Sequence, residues 1–262
     1  MRTGFLQLKI FTLLIITLFS NALYAAHALP EFSARYAIQK FDSKIAQALY
    51  QLSYTESGYK FSQDTTLHGL ASLFADDTVS ATSFIDDAGD TLLLTKHSYR
   101  QTGREKNRDE DISIRWRADN HTRTGDITGI VRNKEINLKT DKAVWDALSF
   151  QIPLMIEANE DVKKYPYTAI LKGEIDTYNF VLTSTKVISF ADKEYKALQM
   201  VRSDPRRDRQ LHVWLVPALH NIPVIIESYR DGKEHSRAQL ESVQFNNEPP
   251  LNDQAIDDND DF

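Results

Sequence analysis

The sequence predicts a mainly β protein, with a strongly curved antiparallel sheet of about ten to twelve strands that forms an open or half barrel. Apolar and polar residues alternate with a period of two over most of the chain, as in FSARYAIQK. Short polar segments such as DDAGD separate these stretches, as expected of hairpin turns. Only one segment has helical spacing, so we expect a short helical insert that covers the concave face of the sheet.

The alternating stretches are typical of consecutive strands in a meander. Before the insert they are residues 32–40, 44–54, 59–69, 77–85, 90–101, 111–118 and 134–139, and after it 165–173, 174–188, 193–203, 209–216, 222–232 and 233–245. The absence of strand-helix-strand alternation excludes a parallel nucleotide-binding sheet.

The expected helical insert lies in TDKAVWDALSFQIPLMIEANED, residues 140–161. Thr140 or Asp141 can cap a helix, and apolar residues then recur near helical spacing. Pro153 stops or kinks such a helix, so we expect one or two short turns.

Both ends of the chain differ from this β-rich region. Residues 1–28 are typical of a cleaved secretory signal peptide, since Arg2 and Lys9 precede the apolar run 10–20 and alanines follow it. An uncleaved membrane anchor is the alternative. Residues 29–245 then form a single β-rich domain, and residues 246–262, rich in aspartate, form a disordered acidic tail.

Composition limits the compartment and the partners. The chain has 262 residues, a net charge of -6 and no cysteine, so it has no disulfide, thiolate metal site or lipoprotein cysteine. We therefore expect a soluble periplasmic protein of a Gram-negative bacterium with no stable membrane span after cleavage. The acidic charge argues against nucleic acid as a partner.

No catalytic or metal-binding motif is visible, and we expect neither an enzyme nor a cofactor. Nucleophile-elbow, HExxH, phosphate-loop and SxxK patterns are all missing, and the histidines are scattered singly. DDAGD lacks the glutamate of a calcium loop, and SDPRRDR (203–209) mixes opposite charges that neutralise one another.

With catalytic and metal-binding motifs missing, the residues left to form a binding site are apolar and aromatic. Aromatic residues exceed what a sheet with one solvated face requires, so they form either a plain core or an apolar cavity between sheet and helix. The candidate cavity residues are Trp116, Trp145, Phe150, Leu211, Val213, Trp214 and Leu215.

Four segments carry a family resemblance. They are HGLASLF (68–74), WDALSFQIPL (145–154), KGEIDTYNFVL and LHVWLVPALHNIPVIIESYRDGKEHSRAQLESV (211–243). The chain resembles a bacterial exported family filed as domain of unknown function 3108 from about Phe32 to Phe245, with three segments in the right order. The order of tryptophan strand, Leu-Pro, Asp-Gly turn and strand is also similar to the periplasmic lipoprotein carriers and receptors (Lol-type). That resemblance implies a curved sheet plugged by helices that holds acyl chains; neither family implies a catalytic residue here.

These observations leave three alternative functions. The first is a non-enzymatic periplasmic protein that binds a hydrophobic ligand, a lipid or lipoprotein acyl group, and serves cell-envelope maintenance. The second is a protein-interaction or envelope-assembly module with a fully packed interior and an envelope protein as partner. The third is a hydrolase, because the residues of a catalytic triad can be far apart in the sequence and still come together in the fold, so the absence of a motif does not exclude one.

Overall fold

The computed structural model describes residues 29–41, 43–67, 78–103, 107–119, 122–204, 207–246 and 248–252. The expected signal peptide, the segment HGLASLF and the last ten residues of the expected tail lie outside the described residues.

In this part of the chain, strands dominate and one α-helix is present. The strands are β1 (Phe32–Lys40), β2 (Ser43–Tyr54), β3 (Gly58–Leu67), β4 (Thr78–Asp87), β5 (Leu92–Gln101), β6 (Glu110–Asp119), β7 (Thr122–Val131), β8 (Lys134–Thr140), β9 (Val144–Trp145), β10 (Lys164–Leu171), β11 (Glu174–Phe190), β12 (Lys193–Asp204), β13 (Arg209–Val216), β14 (Ile222–Arg230), β15 (Lys233–Phe245) and β16 (Leu251–Asn252). The helix α1 spans Gln151–Glu157, and a 3₁₀ helix, η1, spans Pro217–Leu219.

The strands form one sheet that is nearly closed into a barrel. Its order is β8-β7-β6-β5-β4-β3-β2-β1-β15-β14-β13-β12-β11-β10-β9, and β16 pairs with β15. The two halves of the chain are thus meanders joined where β1 pairs with β15. The mainly β prediction is confirmed, but the described residues hold sixteen strands, more than the ten to twelve expected, and the sheet is more closed than a half barrel.

The strand β7 was missing from the sequence prediction because glycines interrupt its alternation. Gly129 is required by a close approach, since a Cβ there would lie 2.0 Å from the carbonyl oxygen of Asp111 on β6. Gly125 lies opposite Trp116, whose ring fills the space that a side chain would need.

The insert differs in detail from the expected helix. Val144 and Trp145 form β9, parallel to β10, and the helix begins only at Gln151. Pro153 lies inside α1, but in its first turn, where a backbone N–H has no partner within the helix. Neither Thr140 nor Asp141 caps the helix, because nine or more residues separate them from Gln151.

Residues from both halves of the sheet and from the insert form one apolar core. The largest fully buried side chains include Phe61, Leu52 and Ile85 from the first half, and Phe180 and Met200 from the second. Within α1, Ile152, Leu154 and Met155 are at most 2% exposed. The insert therefore packs inside the curve of the sheet.

The antiparallel order places the hairpin turns at two ends of the barrel. Turns 55–57 and 88–91 lie at one end, and turns 132–133 and 172–173 lie at the other, where a Cβ on Gly173 would lie 3.0 Å from Ile136. The start of the expected acidic tail is part of the sheet, because β16 pairs with β15 through Val243 and Leu251.

Candidate functional site

A cleft of about 900 Å³ opens at the end of the barrel formed by the turns 55–57 and 88–91. We call it the rim cleft. It lies between the β2–β3 and β4–β5 hairpins and the end of β6. Its lining is Tyr54, Thr55, Glu56, Ser57, Gly58, Tyr59, Asp86, Asp87, Ala88, Gly89, Leu93, Thr95, Ile114, Arg115 and Trp116.

Apolar and aromatic side chains supply much of the cleft wall. Leu93 and Ile114 are buried, and the rings of Tyr54 and Tyr59 lie 5.6 Å apart at a tilted angle. The indole of Trp116 donates a hydrogen bond of 2.8 Å from Nε1 to the carbonyl oxygen of Leu94, which fixes the ring orientation. The wall is therefore preorganised for apolar contact.

The polar groups of the cleft lie on its turns. Asp86 accepts a hydrogen bond of 2.7 Å from the Ser57 hydroxyl, and Asp87 accepts one of 2.8 Å from the Gly89 amide. With Glu56, the cleft has three carboxylates against the single guanidinium of Arg115. The rim therefore carries excess negative charge, which disfavours an anionic ligand.

Both tyrosines of the cleft are un-ionised near neutral pH. Burial, followed by the nearby Glu31 carboxylate, raises the pKa of Tyr54, and its hydroxyl donates to the carbonyl oxygen of Leu29 at 2.6 Å. Burial also raises the pKa of Tyr59, with Tyr54 and Asp87 adding to the shift. Each phenol thus remains a neutral hydrogen-bonding group at the cleft.

A second constellation lies in the interior, where β4, β5 and the insert meet. Ser83 and His97 lie opposite each other on the inner faces of β4 and β5, and both contact Asp146 of the insert. The Ser83 hydroxyl donates to Asp146 Oδ2 at 2.7 Å, and His97 Nδ1 lies 3.1 Å from Ser83 Oγ and 3.3 Å from Asp146 Oδ1. Asp146 is 1% exposed.

Asp146 also closes the turn that leads into α1. Its Oδ1 accepts hydrogen bonds from the amides of Leu148 and Ser149 at 2.7 and 3.0 Å. Ser149 Oγ donates to Asp146 Oδ2 at 2.7 Å and accepts from the Asp146 amide at 3.0 Å. The Asp-x-x-Ser pattern is therefore a reciprocal turn cap, comparable to a capping box, whose carboxylate also binds the sheet.

These residues do not have the geometry of a serine-hydrolase triad. In a triad the serine and the aspartate lie at opposite nitrogens of the imidazole ring. Here both residues lie at the same nitrogen of His97, Nδ1. Because the Ser83 hydroxyl donates its hydrogen to Asp146, its oxygen can only accept from His97, so Nδ1 is the donor of that hydrogen bond. Ser83, His97 and Asp146 are at most 2% exposed, so the group serves as an anchor for the insert.

The insert is tied to the barrel at two further places. The ring of Phe150 stacks on Phe180 of β11, with centroids 5.4 Å apart. Beyond the helix, the Asn221 side chain donates to the carbonyl oxygens of Met155 and Ala158 at 2.8 and 3.0 Å. The insert thus crosses the interior between the β4–β5 wall and the β11 wall.

The seven residues predicted for a sheet-helix cavity are all part of the core or pack against it. Trp145, Val213, Trp214 and Leu215 belong to the buried cluster, and Trp116, Phe150 and Leu211 are partly buried against it. Trp116 is the member of this set that lines the rim cleft. The other six do not line it.

The strand register separates Trp214 from its neighbours on β13. Val213 lies opposite Met200 and Ile226, on the same inner face as Ser83 when the pairs are followed around the sheet. Trp214 lies on the outer face, where the Lys186 ammonium covers its ring at 3.9 Å from the centroid. Trp214 therefore packs under a cation rather than against the insert.

Sequence reasoning did not find the interior anchor or the cleft tyrosines. His97 was considered only as a lone histidine, and Ser83 and Tyr59 read as ordinary strand residues. The available signal was weak: Ser83 and His97 are polar residues at inward positions of two neighbouring strands. Across the described residues, no group of three or more His, Asp or Glu side chains is arranged to hold a metal ion.

The family assignment rests on a match over most of the chain. The model of the family described as "Protein of unknown function (DUF3108)" matches residues 31–232. The chain belongs to this family, which confirms the family resemblance seen in the sequence. No curated protein matches the chain.

A solved structure is similar in fold. The crystal structure of a β-barrel-like protein of domain of unknown function DUF1849 from Brucella abortus matches with a TM-score of 0.55 and 10% sequence identity. The match covers 84% of this chain and 100% of that chain. At this identity the likeness shows a barrel-like fold alone. In the described part of the chain, no helix has the length and apolar character needed to cross a membrane.

Proposed function

We propose that this chain is a non-enzymatic binding protein of the bacterial cell envelope, which holds an acyl chain in the rim cleft. One observation carries the proposal: an open cleft of about 900 Å³ whose wall is formed by Trp116, Leu93, Ile114 and two tyrosines. A volume in this range accommodates a lipid tail, and the wall offers aromatic and aliphatic contact.

The rim cleft replaces the sheet-helix space as the proposed site. Ile152, Leu154 and Met155 of α1 are buried in the core, and Phe150 stacks on Phe180, so protein side chains already occupy that space. The lipoprotein-carrier resemblance of the sequence supports an acyl ligand, and the export signal expected at residues 1–28 supports a periplasmic location.

The charges at the cleft restrict the head group. Glu56, Asp86 and Asp87 outnumber Arg115, so a free fatty-acid carboxylate meets net repulsion. We expect an acyl chain attached to a neutral or cationic group, such as an acylglycerol or the acylated end of a lipoprotein.

Quenching of tryptophan by a brominated lipid tests the proposal. A monoacylglycerol with a brominated chain should quench the fluorescence of the native protein saturably, and the brominated fatty acid should bind more weakly. Trp116→Phe should remove the saturable quenching, whereas the control Trp214→Phe should keep it. Quenching that survives in Trp116→Phe and is lost in Trp214→Phe would place the ligand elsewhere, and no saturable quenching with any chain length would refute a lipid-binding role.

A further inference from the structure

The strand β8 ends the sheet with one edge that no described strand covers. It pairs with β7 on one side, and the sheet order stops there. Four of its seven residues are exposed: Lys134, Glu135, Asn137 and Lys139. Within the described residues, none of its three charged side chains has an ion-pair partner. An uncovered edge of this kind is a template for pairing with another strand.

The two faces of β8 have different character. Ile136 and Leu138 lie opposite Gly129 and Ile127 on the inner face, and both are half-buried. Glu135 and Lys139 alternate with them and lie on the outer face. Any strand that extends the sheet at this edge must keep the same alternation, because a shift by one residue would place apolar side chains beside charged ones.

The sequence of β8, KEINLKT, is complementary to itself in the antiparallel direction. With Asn137 opposite its own copy, Glu135 faces Lys139 of the second strand, and Ile136 faces Leu138. The symmetry produces each of these pairs twice, and all seven residues are paired. Opposite charges and apolar side chains thus meet on their own faces of the sheet.

Other registers lose these pairs. A shift by two residues, with Ile136 or Leu138 opposite its own copy, sets Asn137 against Glu135 or against Lys139 and breaks both ion pairs. A shift by one residue sets inner-face residues against outer-face residues. The arrangement centred on Asn137 is therefore the one that the charges select.

We propose that two copies of the chain pair antiparallel through β8, about a two-fold axis at Asn137, and so extend the sheet from one barrel into the next. Such a contact is isologous, as in most homodimers. Seven residues span about 23 Å of strand, so the interface is small and the dimer dissociates reversibly. This surface is independent of the rim cleft.

Charge reversal tests the pairing. Sedimentation velocity over a concentration series should show a monomer-dimer equilibrium for the native chain. Glu135→Lys and Lys139→Glu should each weaken dimerisation about tenfold or more, because each turns two attractive pairs into two repulsive ones. Both residues are exposed, so the unfolding midpoint should change little, and urea denaturation checks this.

Two combinations separate the pairing from a general charge effect. The double variant Glu135→Lys/Lys139→Glu should dimerise like the native chain. An equimolar mixture of the two single variants should form a heterodimer, because lysines on one strand then face glutamates on the other. A native chain that stays monomeric at millimolar concentration, or single variants that dimerise as tightly as the native chain, would overturn the proposal.

Discussion

Asp146 accepts four buried hydrogen bonds, and no sequence motif predicted this role. Its two oxygens accept from two backbone amides and two hydroxyls, and His97 Nδ1 lies beside them. A buried carboxylate costs free energy unless its donors are in place. Here the donors come from the turn itself and from β4 and β5, so this single side chain fastens the insert to the sheet.

Replacing Asp146 by asparagine should destabilise the fold by about 2–4 kcal/mol, because one acceptor oxygen becomes a donor that faces other donors. Urea denaturation measures the change in the free energy of unfolding. Asp141→Asn, in the exposed part of the same segment, should change it by about 0.5 kcal/mol or less. Equal effects of the two substitutions would show that Asp146 does not anchor the insert.

Glu110 makes the stability dependent on pH. Its side chain is 13% exposed, and burial raises its pKa above the ordinary value of 4.5, although His97 and Arg132 act in the opposite direction. The folded chain therefore keeps this proton over a pH range in which the unfolded chain has released it. The stability that Glu110 contributes is present below pH 4.5 and is lost as the pH rises through the raised pKa.

Measured from about pH 4 to about pH 7, the free energy of unfolding of the native chain should therefore fall relative to that of Glu110→Gln. The exposed Glu194 supplies a control, and Glu194→Gln should run parallel to the native chain. A Glu110→Gln curve parallel to the native one over this range would contradict the prediction.

At the level of single residues, the sequence did not reveal the interior anchor. The segment WDALSFQIPL contributed to the family resemblance, and the structure shows its Asp146 and Ser149 as a local turn cap. Its partner Ser83 lies 63 residues away from Asp146 in the chain. Contacts of this range depend on how the strands pair around the barrel, which no local pattern encodes.

Among the elements, β7 shows how close packing overrides strand propensity. Its glycines weaken the alternation of apolar and polar residues that identifies a strand. The glycine at position 129 is nevertheless required, because the backbone of β6 approaches too closely for any side chain. The alternation rule found the strands whose faces differ in polarity. It missed β7 and the two-residue strands β9 and β16, because these carry too few alternating residues.

Gly129→Ala should destabilise the protein by about 2–4 kcal/mol, because the new methyl group would lie 2.0 Å from the carbonyl oxygen of Asp111 unless β6 and β7 separate. Thermal and urea unfolding measure this loss. Thr124→Ala, an exposed change on the same strand, is the matched control and should be nearly neutral. If Gly129→Ala were as stable as the control, the two strands could not be packed as described.

For the whole molecule, the pattern predicted a curved antiparallel sheet but not its degree of closure. The first strand, β1, pairs with β15 from the far end of the domain and so joins the two halves of the sheet, whereas closure depends on how near the sheet ends, β8 and β9, come to each other. The insert fills the interior, and the rim cleft lies between hairpins at one end of the barrel. Trp116 was predicted as a site residue, whereas the tyrosines and carboxylates beside it come together only through strand register.

Native mass spectrometry of the protein purified from bacterial cells tests acyl binding in the rim cleft. The native chain should carry a near-stoichiometric lipid mass that solvent extraction recovers. Ala88→Trp, which places a large ring in the rim cleft at an exposed position, should lose that lipid. Lys233→Trp, at the exposed start of β15 on the opposite end of the barrel, should retain it. Protein-only masses for all three chains, or equal lipid on Ala88→Trp and the native chain, would contradict acyl binding in the rim cleft.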